Sequence, residues 1–321
     1  MDIKMRKTIL RVGAAIAAVL IVAVVVWLVY IRLNSSGTSS ATTRSQPTSQ
    51  ITRSSQQGSQ LQTVDYNIEY DGKTYDKNVV VYVPDAYKQG TPMNILYLMH
   101  GSTGSGEQTA QAMQPLFDQW IAQGQMEPML VAFPTYYPDR SFVVSNYSAD
   151  YPLNHFFATT EVQTVMQKVE SQFTTYASET TDQSFEDSRM HRAFGGYSMG
   201  GITTWDVLVD QSQYFGYYMP MAGDSWIGQT TGNSSTNEVA DTLVSGLEKN
   251  GYTPNDFKII AMVGENDGTK SSMIPQINAL RREHSNVIND NNLIYWENDN
   301  GGHSQESFEI ETEHGMQYLF K

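Results

Sequence analysis

Phe194-Gly195-Gly196-Tyr197-Ser198-Met199-Gly200-Gly201 decides how the rest of the chain is read. Inside it, Gly196-Tyr197-Ser198-Met199-Gly200 has the G-x-S-x-G spacing of a nucleophile elbow. A serine at the tip of a strand-to-helix turn needs a strained backbone. Small neighbours let strand and helix approach one another. The helix N-terminus that follows favours negative charge at the serine oxygen. The flanks fit: His191–Phe194 reads as a strand entering the turn, and Ile202–Val209 as the helix leaving it.

Outward from the elbow, strand-like and helix-like segments alternate. Val64–Tyr70 alternates apolar and polar residues and meets Asp71-Gly72, a turn signal; Asn78–Val83 follows and stops at Pro84. These two predict an antiparallel pair at a sheet edge. Asn94–Met99 and Met129–Phe133 are continuous apolar runs of strand length, as buried central strands should be. Glu107–Gln123 is helical in pattern, and Thr160–Tyr176 carries a stripe of Val162, Val165, Met166, Val169 and Phe173. Further strands are predicted at Phe215–Ala222, Phe257–Val263 and Asn292–Trp296, with helices over 237–250, 271–284 and 305–320. About eight strands with helices between the later ones predict an α/β domain with a mostly parallel sheet and helices on both faces.

Ligands in such sheets bind beyond the carboxyl ends of the strands, so the candidate site residues are those just after each strand. His100-Gly101-Ser102-Thr103-Gly104 follows the third strand. Small residues there let a backbone N–H, that of Ser102 or Thr103, join the Met199 N–H as an oxyanion hole. Six histidines compete to be the general base. His191 lies at the wrong end of its strand, His284 and His314 lie in predicted helices, and His100 precedes the oxyanion turn. His155 sits in a loop insertion that position alone does not remove. His303 follows the last strand in a glycine-rich loop and has the chain order Ser, acid, His in its favour. For the acid, Asp267 after the penultimate strand is preferred; Asp224 is the alternative and Glu265 a third. The insertion Pro134–Thr159 carries Tyr136, Tyr137, Phe142, Tyr147, Tyr151, Phe156 and Phe157. Most such rings fill cores. Trp226, with Asp224 and Tyr197, is expected to contact substrate.

The chain of 321 residues has a formal charge of −14. Its first sixty residues hold seven basic side chains against Asp2 alone, so the remainder carries a charge of −20. An acidic globular part argues against nucleic acid as a partner. With no cysteine, disulfides and thiolate metal sites are excluded. Met1–Lys7 is basic, and Val12–Ile31 is apolar without a charge, long enough to span roughly 30 Å of hydrocarbon as a helix. Four basic residues precede that run and only Arg32 follows closely. Residues 1–33 are therefore expected to be an uncleaved single-pass anchor with the rest of the chain outside the cell. The bulky exit Trp27–Leu33 offers no small-x-small cleavage site. Asn34–Gln62, rich in Ser, Thr, Gln and Gly, is expected to be a flexible stalk, with the α/β domain over 63–321.

Met190-His-Arg-Ala-Phe-Gly-Gly-Tyr-Ser-Met-Gly-Gly-Ile-Thr-Thr-Trp205 resembles the nucleophile region of esterase-D-like α/β-hydrolases, especially feruloyl and acetylxylan esterases of carbohydrate esterase family 1. Tyr97-Leu-Met-His-Gly101, Met219–Trp226, Val263–Gly268 and Gly301–Ser304 match in collinear order, so the resemblance runs from about Val64 to the C-terminus. It implies the α/β-hydrolase fold, with Ser198 as nucleophile, Asp267 as acid and His303 as base, no cofactor, and a small or polysaccharide-linked ester as substrate. The chain departs from the pattern in its Gly-Ser-Thr-Gly-Ser-Gly loop after His100, and it lacks the carbohydrate-binding modules that often accompany such esterases. An acyltransferase acting on envelope sugars is the alternative within the superfamily. A surface binding protein on an inactive scaffold is the alternative outside catalysis.

Overall fold

The computed structural model describes residues 58–232 and 235–321. The expected membrane segment and most of the expected stalk fall outside the described residues. Among the described residues no helix is long and apolar enough to cross a membrane.

Eight strands form one sheet: β1 (Gln60–Tyr70), β2 (Lys73–Val83), β3 (Ile95–Met99), β4 (Leu130–Phe133), β5 (Arg192–Tyr197), β6 (Tyr217–Met221), β7 (Lys258–Gly264) and β8 (Leu293–Asn298). Their spatial order is β1-β2-β4-β3-β5-β6-β7-β8. β1 and β2 pair antiparallel along their whole length, and Asp71-Gly72, both with positive φ, supply the two-residue turn between them. β2 is antiparallel to β4, and every later pairing is parallel. β1 begins at Gln60, three residues before the boundary read from composition. Gln60, Gln62 and Thr63 are ordered by the backbone of Val83, Val81 and Val80 opposite them, which polar side chains at a sheet edge do not prevent.

The helices are α1 (Gly106–Ala122), α2 (Tyr151–Phe156), α3 (Val162–Glu170), α4 (Asp182–Asp187), α5 (Met199–Asp210), α6 (Gly228–Thr231), α7 (Thr236–Lys249), α8 (Lys270–Glu283) and α9 (Gln305–Met316). Strand alternation gives the sheet two apolar faces. Ile95, Tyr97 and Met99 of β3 face one core with residues of α3, α5, α7 and α8. Leu96 and Leu98 face the other, against α1 and α9. A buried ion pair ties α3 to β5: Arg192 donates from Nε to Glu170 Oε1 at 2.7 Å and from Nη2 to Oε2 at 2.8 Å. Tyr97 Oη donates to the same Oε1 at 2.9 Å.

Two expectations need correction. The helix predicted over Thr160–Tyr176 ends at Glu170, after a π-helical turn at Phe157–Glu161. The chain then bends so that Thr175 bridges to Met93 beside β3. The insertion after β4, read as a loop, contains α2; its turn residue Glu161 is anchored by ion pairing with Lys77 and by Tyr66 Oη at 2.6 Å.

Candidate active site

The parallel strands β3, β5, β6, β7 and β8 all end at the same edge, and the residues after them line a cleft of about 930 Å³. At its floor Ser198 has φ 56° and ψ −118°, a left-handed conformation that a non-glycine residue adopts only at a cost of order 1 kcal/mol or more. Its N–H donates to Met221 O at 2.9 Å, and its carbonyl accepts from Ile202 N–H at 3.0 Å, opening α5. The glycines of the motif answer to space. A Cβ on Gly200 would lie 2.4 Å from Met99 O, and one on Gly196 would lie 2.5 Å from the Gly200 backbone.

His303 Nε2 lies 2.9 Å from Ser198 Oγ, and His303 Nδ1 lies 2.7 Å from Asp267 Oδ2. A carboxylate oxygen only accepts, so Nδ1 carries the proton and Nε2 is free to take one from Ser198. Asp267 Oδ1 is held by the N–H of Thr269 at 2.8 Å and its hydroxyl at 2.7 Å. Burial pushes the Asp267 carboxyl up, but hydrogen bonds from His303 and Thr269 outweigh it and hold the group below its ordinary value. The acid side chain is fully buried and the histidine side chain 41% exposed, so the base is open to the cleft.

The competing residues are placed elsewhere. Asp224 lines the cleft wall, and burial raises its carboxyl. Glu265 Oε2 accepts from Asn300 N–H at 3.0 Å and so braces the turn that carries His303. His155 pairs with Asp206 at 2.9 Å, His284 with Asp241 at 2.9 Å, and His191 with Asn94 at 2.8 Å; His314 stacks on Trp296. His100 is buried, and burial lowers it to about 4, so its ring is neutral. Its Nδ1 donates to Gly101 O at 2.7 Å, which leaves Nε2 to accept from Thr135 Oγ1 at 2.8 Å.

The oxyanion candidates separate in the same way. Met199 is the first residue of α5, where backbone N–H groups have no partner within the helix. The Gly101 backbone passes directly beside the nucleophile: a Cβ there would lie 3.2 Å from Ser198 Cβ. Among the described residues nothing accepts from the Ser102 N–H. Thr103 is a correction, because its N–H donates to Tyr137 Oη at 2.9 Å and is not available to a substrate. Tyr197 is another. It is 7% exposed, and its hydroxyl accepts from Ser304 N–H at 2.9 Å and donates to Gly302 O at 3.4 Å. Strand alternation turns its ring onto Phe308 and beneath His303, so it supports the histidine loop.

Of the insertion's rings, Tyr136, Tyr137, Tyr151 and Phe157 are buried, while Phe142 and Phe156 pack on Tyr70. Tyr147 is 57% exposed and lines the cleft opposite Trp226, with ring centroids 6.1 Å apart. The sequence grouped Tyr147 with the six other rings. Its neighbours Ser145, Asn146 and Ser148 were the available signal that it stands on a polar, exposed turn. Thr269 was also missed, although Asp-x-Thr is a spacing at which a carboxylate bonds its own turn.

A family model described as putative esterase matches residues 74–318. The chain belongs to this esterase family. A curated relative, endo-1,4-beta-xylanase Y of Acetivibrio thermocellus, is 34% identical over 216 residues; this is 66% of the chain and 18% of the relative, so the esterase-family chain spans under a fifth of that protein. Among solved structures, a mutant of the feruloyl esterase module from Clostridium thermocellum, complexed with sinapinate, superposes with a TM-score of 0.66 at 27% identity, over 81% of this chain and 88% of the module. A ferulic acid esterase from Anaeromyces mucronatus gives a TM-score of 0.62 at 15% identity, over 82% and 91% of the two chains, and shows the shared fold.

Proposed function

We propose that this esterase-family chain is a serine carboxylic-ester hydrolase acting on feruloyl or acetyl esters of plant polysaccharide, held outside the cell by its N-terminal segment. The observation that carries the reading is the continuous relay from Ser198 through His303 to Asp267 at the floor of an open cleft. Ser198 Oγ attacks the ester carbonyl as its proton passes to His303 Nε2. Asp267 stabilises the imidazolium, and the N–H groups of Ser102 and Met199 receive the oxyanion. Collapse expels the alcohol, which takes the proton from His303, and leaves the acyl group on Ser198. Water, deprotonated by His303, then attacks the acyl-enzyme and releases the acid.

Two aromatic rings at the cleft, Tyr147 and Trp226, support an aryl acyl group, as does the likeness to a feruloyl esterase module that binds sinapinate. The membrane-anchored, extracellular placement is supported by the basic start and the apolar run Val12–Ile31. Full-length protein in detergent should hydrolyse p-nitrophenyl acetate and methyl ferulate. Folded protein that turns over neither ester overturns the reading.

A further inference from the structure

A second buried polar network holds the loop that follows β3. Asp150, immediately before α2 and fully buried, receives three hydroxyls at one carboxylate oxygen. Ser102 Oγ donates to Oδ2 at 2.6 Å and Tyr137 Oη donates to it at 2.7 Å. Tyr136 Oη lies 3.1 Å from the same oxygen and 3.2 Å from Tyr137 Oη, with one proton to give. Tyr137 Oη in turn accepts the Thr103 N–H. From the outer side Arg140 donates to the carbonyls of Thr103 and Gly104. Thr103 itself is held at φ 64°, a conformation that needs such support. The elbow reaction uses none of these side chains, yet they fix two consecutive residues of the loop beside Ser198.

The same short helix reaches the opposite arm. Asn154, buried, donates from Nδ2 to Met199 O at 3.2 Å and to Thr203 Oγ1 at 2.8 Å. Asp150 at the N-cap of α2 and Asn154 one turn later thus hold the Ser102 loop and the first turn of α5.

We propose that Asp150 is a positioning residue for the oxyanion hole. Through Ser102 and Tyr137 it sets the loop so that the Thr103 N–H is turned away and the Ser102 N–H is the loop's donor to the developing oxyanion. Asn154 steadies the Met199 side. A buried network with directional partners transmits this better than packing, because its geometry is specified atom by atom. The proposal rests on the serine-hydrolase reading above.

The test compares full-length wild type with Asp150→Ala, Tyr137→Phe, Ser102→Ala and Ser102→Thr. Three quantities are measured: kcat and KM on p-nitrophenyl acetate, the inhibition constant of an aryl trifluoromethyl ketone, which forms a tetrahedral adduct on the serine, and the melting temperature. Asp150→Ala removes the acceptor of the Ser102 and Tyr137 hydroxyls, whereas Asp150→Asn would keep an amide oxygen at the Oδ2 position and turn its N–H to the unpartnered Oδ1 side. Asp150→Ala should lower kcat about 10- to 100-fold with KM within about twofold, and weaken the ketone by the same factor as kcat. Ser102→Ala should follow in the same direction, and Ser102→Thr, which keeps the hydroxyl, should recover most of the loss. Folded Asp150→Ala with wild-type kcat, or with a kcat loss unmatched in ketone affinity, overturns the positioning role. If Asp150→Ala does not fold, Tyr137→Phe and Ser102→Ala decide: wild-type kcat in both overturns it. Wild-type turnover with undisturbed variants counts against Asp150 alone, whereas absence of wild-type turnover overturns the esterase reading and this proposal with it.

Discussion

At Ser198 the backbone stores strain that only the surrounding contacts maintain, and the use of that strain is to present Oγ to His303 at 2.9 Å. The dependence on Asp267 follows from tautomer control. Asp267→Asn keeps the shape but can turn an N–H toward Nδ1 and leave the proton on Nε2. It should lower kcat on p-nitrophenyl acetate by about 10²–10⁴-fold with little change in KM. A folded variant within tenfold of wild type would contradict the relay. Glu311 of α9 is a different case. It is fully buried, neither carboxylate oxygen has a hydrogen-bond partner, and burial, then the charge of Asp267, pushes it up to about 8. In the unfolded chain it ionises at its ordinary value of 4.5. Between these values the unfolded state binds fewer protons, so the group costs stability as pH rises through that window, by up to about 1.4 kcal/mol per pH unit. Glu311→Gln removes the titration. Its melting temperature relative to wild type should rise from pH 5 to pH 8; a constant difference across that range would show that Glu311 is already ionised at pH 5.

At the scale of elements, the legible parts were those whose signal is local. Strands β3 and β4 announced themselves as apolar runs, and β5 and the elbow by the spacing of the motif. The loop after β3 was placed correctly beside the nucleophile, but the donor within it was not settled. Choosing Ser102 over Thr103 depends on Tyr137, thirty-four residues later, and no periodicity encodes that contact. Tyr197 borders the cleft, but its ring is not laid open to it. Its place in a strand instead turns it into the core beside Phe308. The insertion after β4 is where function and fold divide its rings: most are buried, and Tyr147 stands out against Trp226. A planar acyl group stacked on the open face of either ring gains about 0.5–1.5 kcal/mol beyond burial. Trp226→Ala should therefore reduce kcat/KM for methyl ferulate about two- to tenfold more than for methyl acetate. Equal losses on both esters would assign Trp226 to the fold.

For the whole molecule, the acidic catalytic part and the basic, apolar start are the two ends of one expectation about location. The start lies outside the described residues, so location stands on charge and hydropathy alone. β1 begins at Gln60, and Ser59 Oγ already donates to Asp118 at 2.7 Å, so the described domain starts ahead of residue 63. Protease added to intact cells should release an active fragment by cutting within residues 34–57. Activity protected until lysis would reverse the orientation.

The most direct measurement is the site of covalent capture. Full-length protein is treated with a fluorophosphonate, digested, and its peptides are weighed by mass spectrometry. The relay of Ser198, His303 and Asp267 predicts one phosphonylated residue, Ser198, in wild type, with modification slowed by about a hundredfold or more in His303→Ala and absent in Ser198→Ala. Modification elsewhere, or an unmodified Ser198 in folded wild type, would contradict it.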